Sequence, residues 1–327
     1  MPKATRKNMM IDKSKGRGGE WNGGDVDWMG NNVPDKLTKF MKDMKLIDDS
    51  YEAPKSGLMN ECIVAGGALQ DKMILVKNRD RSYEATVSIV RKLSKDGTEM
   101  VLMYDKNSRF VEGMNEYGIG IINATLRNRE DSQPMNNYNN RLGNIIHRAL
   151  CCKNLPDALL IVSTYNDGVE GHTIVGDALR MYTVENSWQK KAIVTQTSPT
   201  DSWEVRTNHG LGYYDAGYKP KDGNNYIGSH IRRAMAEVEL SAATSEKDIM
   251  KALRKQHFAP ESNYNMHRRT RGIPGSLFTT SQVMMNLSDL VFNFHTYDDY
   301  INYIEMVDKT PKGYEPKIKI VITNSAD

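Results

Sequence analysis

The sequence predicts an α+β fold that begins at residue 62. Two observations carry that expectation. Short runs rich in Val, Ile, Thr and Tyr, separated by polar turns, read as strands. They come in blocks broken by paired helical segments, not in the strand–helix–strand alternation of a wound parallel sheet. No internal period repeats.

The elements follow in order. Residues 1–33 read as an unfolded tail: KGRGGEWNGGDVDWMGNN is rich in Gly, Asn and charge and has little apolar surface to bury. KGRGG also has the composition of an RNA-binding fragment, but a flexible tail explains it as well. Residues 34–47 read as a short helix, with Pro34 suited to a first turn and Leu37, Phe40, Met41 and Met44 on one face. That helix either docks on the main domain or belongs to a removable pro-segment. Pro54 and Gly57 then break a linker. From Cys62 the runs CIVAGGA, KMILVKN, ATVSIVRKL, EMVLMY and GIGIINATL read as strands, with a turn at the Gly66-Gly67 pair. Residues 141–164 read as two helices split near Asn154 and Pro156, the first with Leu142, Ile145, Ile146, Ala149 and Leu150 as its apolar face. HTIVGD, RMYTVEN, KAIVTQT and SWEVRTN read as strands, 229–240 and 245–257 as helices, and FTTSQVMMNL, LVFNFHTYD and KIKIVIT as closing strands.

Composition excludes more than it selects. The 327 residues carry 44 Lys plus Arg against 41 Asp plus Glu, so the net charge of +3 gives no global attraction to nucleic acid or anionic lipid. No apolar run is long enough to span a bilayer, and MPKATRKNMM leads into no apolar stretch of the secretory kind. The three cysteines are Cys62, Cys151 and the adjacent Cys152, a set that does not make a disulfide framework; a reducing, cytoplasmic setting fits it. The GxGxxG, Walker, CxxC, HExxH and GxSxG patterns are absent, so no organic cofactor, designed zinc site or simple serine-hydrolase elbow is expected.

One cysteine stands in a pattern. Cys62 opens a strand, a second strand follows, and Lys77-Asn78-Arg79-Asp80 ends it. Asp80 lies 18 residues after Cys62, an interval that two strands of a hairpin fill, which places Asp80 beside Cys62. VEGMNEYGIGI follows at 111–121, GHTIVGDALRMYTVE at 171–185 and VRTNHG at 205–210.

Residues 62 to about 307 resemble the N-terminal-nucleophile hydrolases, in particular the choloylglycine hydrolases and the acyl-coenzyme A:6-aminopenicillanic-acid acyltransferases. Cys62 with KNRD is similar to their cysteine followed by G-R-N-x-D, EGMNEYGIGI to D-G-x-N-E-x-G-L, TNH to the segment with their oxyanion asparagine, and SHIRR at 229–233 to S-x-x-R. The tail FTTSQVMMNLSDLVFNFHTYDD resembles their closing hairpin. The resemblance implies a four-layer αββα sandwich over 62–327, preceded by 1–61 as a flexible tail or pro-segment. It implies hydrolysis, or acyl transfer, at a linear non-peptide amide through a thioester on Cys62, with a small-molecule amide as partner and no cofactor. Membrane and nucleic acid are not expected as partners, and a homo-oligomer is left open.

The implied roles fall residue by residue. Cys62 is the nucleophile and its freed α-amine the base, since an α-amine titrates near working pH. Asp80 orients that amine, Asn208 donates to the oxyanion, and Arg232 steadies the nucleophile's surroundings. Lys77 stands where the family has Arg. The second oxyanion contributor is Thr125 by ungapped matching or Asn123 by chemistry. An internal cysteine has no free amine, so cleavage between Glu61 and Cys62 is expected, at a junction that the linker's breakers leave exposed. Each residue also has a plainer reading: Cys62 as core filler, Asp80 as a turn cap, Asn208 as a strand-end residue. His209 is expected to be structural, Cys151 and Cys152 to be buried on a helix, and His267, Arg268, Arg269 and Arg271 to form a solvated loop. The competing class is an inactive scaffold or assembly protein on the same fold.

Overall fold

Two sheets account for the strand runs in the computed structural model, which describes residues 61–325 except 82–84, 106–109, 127–134, 165–168, 188–189, 199–201, 260–261, 263, 270–276 and 298–300. The expected tail and the helix at 34–47 lie outside the described residues, apart from Glu61. β1 (Glu61–Leu69), β2 (Lys72–Arg81), β10 (Glu204–Arg206), β11 (Phe278–Asn286), β12 (Val291–Tyr297) and β14 (Lys319–Ser325) form the first sheet, in the order β10-β1-β2-β11-β12-β14. The second contains β3 (Ala85–Leu93), β4 (Glu99–Asp105), β5 (Val111–Asn115), β6 (Gly120–Ala124), β7 (Gly171–Gly176), β8 (Met181–Asn186), β9 (Ile193–Thr197) and β13 (Ile301–Asp308), in the order β13-β3-β4-β5-β6-β7-β8-β9. Pairing is antiparallel except for β12 with β14 and β13 with β3.

Strand alternation sorts the side chains into three apolar layers. Cys62, Val64, Leu75 and Met285 from the first sheet meet Val101, Met114, Ile122 and Ile174 from the second, so the sheets stack face to face. Ile63, Ala65, Ile74 and Val76 point the other way, onto α3 (Asn224–Ser241) and α4 (Glu246–Ala252). Ile121, Val175 and Val184 point out from the second sheet onto α1 (Met135–Leu150) and α2 (Leu155–Ser163). The result is the expected four-layer αββα sandwich. No helix among the described residues is long and apolar enough to cross a membrane.

Boundaries moved for local reasons. Leu142, Ile145, Ile146, Ala149 and Leu150 are the buried face of α1 as the periodicity predicts, but its first turns are the polar MNNYNN, which carries no such signal. Asn154 caps α2, its Oδ1 accepting the Asp157 N–H at 3.0 Å, with Pro156 in the first turn. α4 stops at Ala252, short of 257: the Arg254 and Lys255 N–H groups go to carbonyls only three residues back, those of Lys251 and Ala252, and those of His257 and Phe258 leave the helix for Asn265 Oδ1, both at 3.0 Å. β5 is a strand of its own, and β13 was not expected.

Candidate active site

The β1–β2 hairpin fixes the geometry. Its turn is at Gln70-Asp71, with φ of 49° and 66°, a two-residue turn of the hairpin type. The expected turn at Gly66-Gly67 is therefore corrected: both glycines lie inside β1. They are required there by close packing, since a Cβ on Gly66 would lie 2.3 Å from Met181 Sδ and one on Gly67 2.9 Å from Trp203. The turn sets Cys62 opposite Arg79 and Glu61 opposite Asp80. Asp80 is thus on the neighbouring strand, as the hairpin count requires, but one residue off: it shares the helix-facing side with Glu61, while the Cys62 side chain faces the other sheet.

On the inter-sheet side the thiol meets a wall of buried charge. Arg81 Nη1 lies 3.9 Å from Cys62 Sγ and donates to the Asp80 carbonyl at 2.8 Å. Asp105 Oδ2 takes Arg81 Nε at 3.3 Å and Arg79 Nη1 at 3.4 Å. Glu112 Oε2 takes Arg79 Nη2 at 3.0 Å and Lys77 Nζ at 2.5 Å. Phe110 covers the latter two cations, its ring centroid 4.6 Å from Lys77 Nζ and 5.1 Å from the Arg79 guanidinium. Burial and then the Arg79 charge pull the Lys77 ammonium below its usual range, against the opposing pull of Cys62 and Glu112. Burial pushes the Glu112 carboxyl up, but Arg79 and Lys77 override it and hold it low.

The backbone nitrogen of Cys62 points elsewhere. Its N–H donates to Asn208 Oδ1 at 3.1 Å, and Asn208 Nδ2 donates to the Thr125 carbonyl at 3.0 Å. The second Nδ2 hydrogen of Asn208 has no partner among the described residues. Ser229 holds this segment in place. Its Oγ accepts the Asn208 backbone N–H at 2.9 Å and lies 2.8 Å from His209 Nδ1, and its carbonyl accepts from Thr207 Oγ1 at 2.9 Å. Arg232, three residues on along α3 and so on the same helix face, brings Nη2 to 3.4 Å from Asn208 Oδ1. Gly217 closes the return loop at φ +67°, where a Cβ would stand 2.4 Å from the Asn208 carbonyl.

Around Glu61 lies a second buried cluster. Its Oε2 takes Arg232 Nη2 in a short ion pair and Arg268 Nη2 at 2.8 Å; its Oε1 accepts from Tyr218 Oη at 2.7 Å. Across the ladder, Asp80 Oδ1 accepts from Thr279 Oγ1 at 2.7 Å and Oδ2 lies 3.7 Å from Arg268 Nε. A bulge in β11 between Thr279 and Ser281 aims Thr279 at Asp80. Burial lifts the Asp80 carboxyl to about 6, with Glu61 adding to the rise and Arg268 and Thr279 opposing it. Burial also raises Glu61, against Arg268 and Tyr218.

The structure thus brings Cys62, Asp80, Asn208, Arg232 and the Thr125 carbonyl into one neighbourhood, with Lys77 behind the thiol. Asn123 is not part of it. Ile122 and Ala124 face the other sheet, so Asn123 between them faces the helices, where its Nδ2 is held by the Glu170 carbonyl at 3.1 Å and Thr173 Oγ1 at 2.9 Å. Two further expectations are corrected. Glu61 is fully buried and Cys62 only 4% exposed, so the junction is enclosed by the ladder and by α3. Arg268, read as part of a solvated loop, is 2% exposed and bound to two carboxylates. Cys151 and Cys152 are half-buried at the end of α1. His209 is buried, stacked on His230 with centroids 3.6 Å apart. Burial holds it largely neutral. Sequence reasoning missed Tyr218, Thr279 and Arg81, which have no motif of their own. Among the described residues no three His, Cys, Asp or Glu side chains gather as a metal site.

A buried cysteine near the head of β1, facing the partner sheet of an αββα sandwich, is the centre of the candidate site. Several solved structures are similar to the chain, and two of them serve as examples. One is a Caenorhabditis elegans N-acylethanolamine-hydrolyzing acid amidase ortholog, 13% identical, covering 69% of this chain and 93% of that one at a TM-score of 0.44. The other is a penicillin V acylase from Agrobacterium tumefaciens, 12% identical, covering 72% and 85% at a TM-score of 0.40. No family model and no curated protein matches the chain.

Proposed function

We propose that this chain is a cysteine amidohydrolase that frees its own nucleophile by cutting between Glu61 and Cys62. The observation that carries the reading is the pair of contacts at Cys62: a guanidinium 3.9 Å from the thiol, and an asparagine side chain on the backbone nitrogen at 3.1 Å. The first sets a positive charge beside the sulfur that would make the attack. The second holds the nitrogen that becomes the catalytic amine.

In processing, the Cys62 thiolate adds to the Glu61 carbonyl and the oxygen takes the negative charge. The oxyanion collapses, the C–N bond breaks, the nitrogen takes the proton that the Cys62 thiol gave up and becomes the α-amine, and Glu61 is left as a thioester on Cys62. Water then adds to the thioester, expels the thiol and releases residues 1–61 as a carboxylate. Burial of the junction supports this intramolecular route over a separate protease, because the attacking group is already inside. In turnover the α-amine takes the thiol proton, the thiolate attacks the substrate amide, the protonated amine returns its proton to the leaving nitrogen, and water completes hydrolysis. Asn208, through its second Nδ2 hydrogen, supplies the oxyanion donor. Asp80, across the ladder from the vacated position, is the counter-charge for the new ammonium, and Arg232 holds Asn208 Oδ1.

Intact-mass measurement of the purified protein tests the reading. The wild type loses residues 1–61, and Cys62→Ala stays full length and inactive on amides while keeping its fold. An active Cys62→Ala protein sinks the mechanism, and a full-length, inactive wild type favours a scaffold.

A further inference from the structure

We infer that the protein holds a phosphate group, as hydrogen phosphate or as the phosphoryl end of a small monoester, between Arg254 and Gln282 on the helix-facing side of β11. Neither residue belongs to the candidate active site, and the inference does not depend on the proposed reaction.

Gln282 is a buried amide without partners. It is 0% exposed, and neither its Nε2 nor its Oε1 has a hydrogen-bond partner. Register fixes where it stands. Gln282 pairs with Asn78 of β2 on one side and with His295 of β12 on the other. Met284, two residues on, packs in the layer that faces α3 and α4, so Gln282 faces the helices too. Asn78, Gln282 and His295 therefore form one polar row, and the chain at the end of α4 roofs it. Asn78 Nδ2 donates to the Leu253 carbonyl at 2.7 Å, and Arg254 Nη1 lies 3.3 Å from His295 Nε2. Leu253 thus covers one end of the row and Arg254 the other, with Gln282 between them. Asn78 Oδ1 is a further buried acceptor without a partner. Buried amide atoms left unpaired are rare and costly, and each calls for a ligand or a water.

The charge around the row is positive. Arg254 Nε donates to the Met250 carbonyl at 3.1 Å, and Nη1 reaches His295, whose Nδ1 lies 2.8 Å from Thr323 Oγ1. Among the described residues no carboxylate pairs with Arg254. Burial, then the charges of Arg269, Arg254 and His295, pull the neighbouring His267 down to about 3. The carbonyls at the end of α4, which would repel an anion, are taken up: Met250 by Arg254 and Leu253 by Asn78.

These groups select the ligand. A guanidinium without a counter-ion takes an anion, and Gln282 Nε2 takes an acceptor. Gln282 Oε1 and Asn78 Oδ1 take a donor. Sulfate and carboxylates only accept. A phosphate that keeps one proton accepts through its charged oxygens and donates through its hydroxyl, so it serves both kinds of group.

Calorimetry on the wild-type protein in phosphate-free buffer tests the site. At pH 6 about half or more of phosphate and monoester molecules keep a proton. Inorganic phosphate is expected to bind one to a chain, at least about tenfold tighter than sulfate at equal ionic strength. Phenyl phosphate binding as tightly as phosphate gives a monoester as the source; much weaker binding gives the free ion. Arg254→Met is expected to weaken phosphate at least about tenfold, with Arg254→Lys between it and the wild type. Gln282→Met is expected to weaken it by about tenfold while unfolding, without phosphate, at or above the wild-type temperature, since it removes two buried unpaired atoms. Sulfate as tight as phosphate overturns the inference, and so does phosphate affinity unchanged in Gln282→Met or in Arg254→Met. Binding of neither phosphate nor phenyl phosphate overturns it too, and leaves Gln282 and Asn78 to ordered water.

Discussion

Asn208 separates two jobs that one substitution can pull apart. Its Oδ1 accepts the Cys62 N–H at 3.1 Å, and its Nδ2 donates one hydrogen to the Thr125 carbonyl at 3.0 Å, the other being the donor proposed for the oxyanion. Asn208→Ala removes both. Loss of one oxyanion donor costs about 2.7–4 kcal/mol, or about 100- to 1000-fold in rate. Leaving the buried Cys62 N–H without its acceptor costs about 1–3 kcal/mol of stability as well. Asn208→Asp keeps an acceptor for Cys62 and for Arg232, 3.4 Å away, but has no hydrogen to donate. It is therefore expected to retain more stability than the alanine variant while losing at least as much rate, because it adds negative charge where the oxyanion forms. The assays are the half-time of Glu61–Cys62 cleavage by intact mass, kcat on an amide, and guanidinium unfolding. An Asn208→Asp chain that processes at the wild-type rate would falsify the assignment of Asn208 as donor. A fall in substrate affinity with kcat unchanged would make it a binding residue instead.

Two further outcomes follow from the same contacts. Arg81→Met takes away the guanidinium 3.9 Å from Cys62 Sγ, so cleavage between Glu61 and Cys62 is expected to slow about tenfold by intact mass, with Arg81→Lys between it and the wild type; an unchanged rate would remove Arg81 from the proposed site. Asp80, at about 6 in the fold against 3.8 unperturbed, stays protonated in the folded state over a range where the unfolded chain has ionised. Its contribution to stability is therefore fully present at low pH and falls as pH rises from about 4 to 6. In the Cys62→Ala background, which is expected to stay full length and keep Glu61, the difference in unfolding free energy between Asp80 and Asp80→Asn should shrink, or shift in favour of Asn, across that window. A difference that is flat from pH 4 to 6 refutes the burial-driven rise.

Much of the fold was legible because strand period and helix period are local signals. The runs that became β1 to β4 alternate or are continuously apolar, and the buried face of α1 stands in its spacing. What the residues do not state is which runs pair. β13 lies parallel to β3 through residues distant in sequence, a long-range choice that no local pattern encodes. The same holds for the glycine pair: Gly66-Gly67 carries a turn signal, yet the close approach of Met181 and Trp203 keeps it in a strand, and Gln70-Asp71 takes the turn at positive φ without a glycine. Tertiary packing decided both.

The site was legible where a motif ties two elements together and obscure where charges meet across elements. SHIRR is readable because Ser229 and Arg232 lie one turn apart on α3 and both reach Asn208. Arg268 has no such spacing, and in sequence it is one of several basic residues in a polar stretch. Its burial comes from Glu61 and Asp80, which face it as a cross-strand pair. Glu61 faces away from the thiol by strand alternation alone, and a one-residue shift of register would have turned Asp80 to the thiol's side. The Gln70-Asp71 turn therefore does more than close a hairpin. It puts Asp80 on the face of Glu61, opposite the Cys62 thiol, so that Arg81 lies by the thiol on one side while Arg232 and Arg268 hold an acidic side chain on the other. Adjacent residues of one strand, Glu61 and Cys62, thereby meet two separate sets of cations, and the proposed cleavage would part Glu61 from its set while leaving the other around the sulfur.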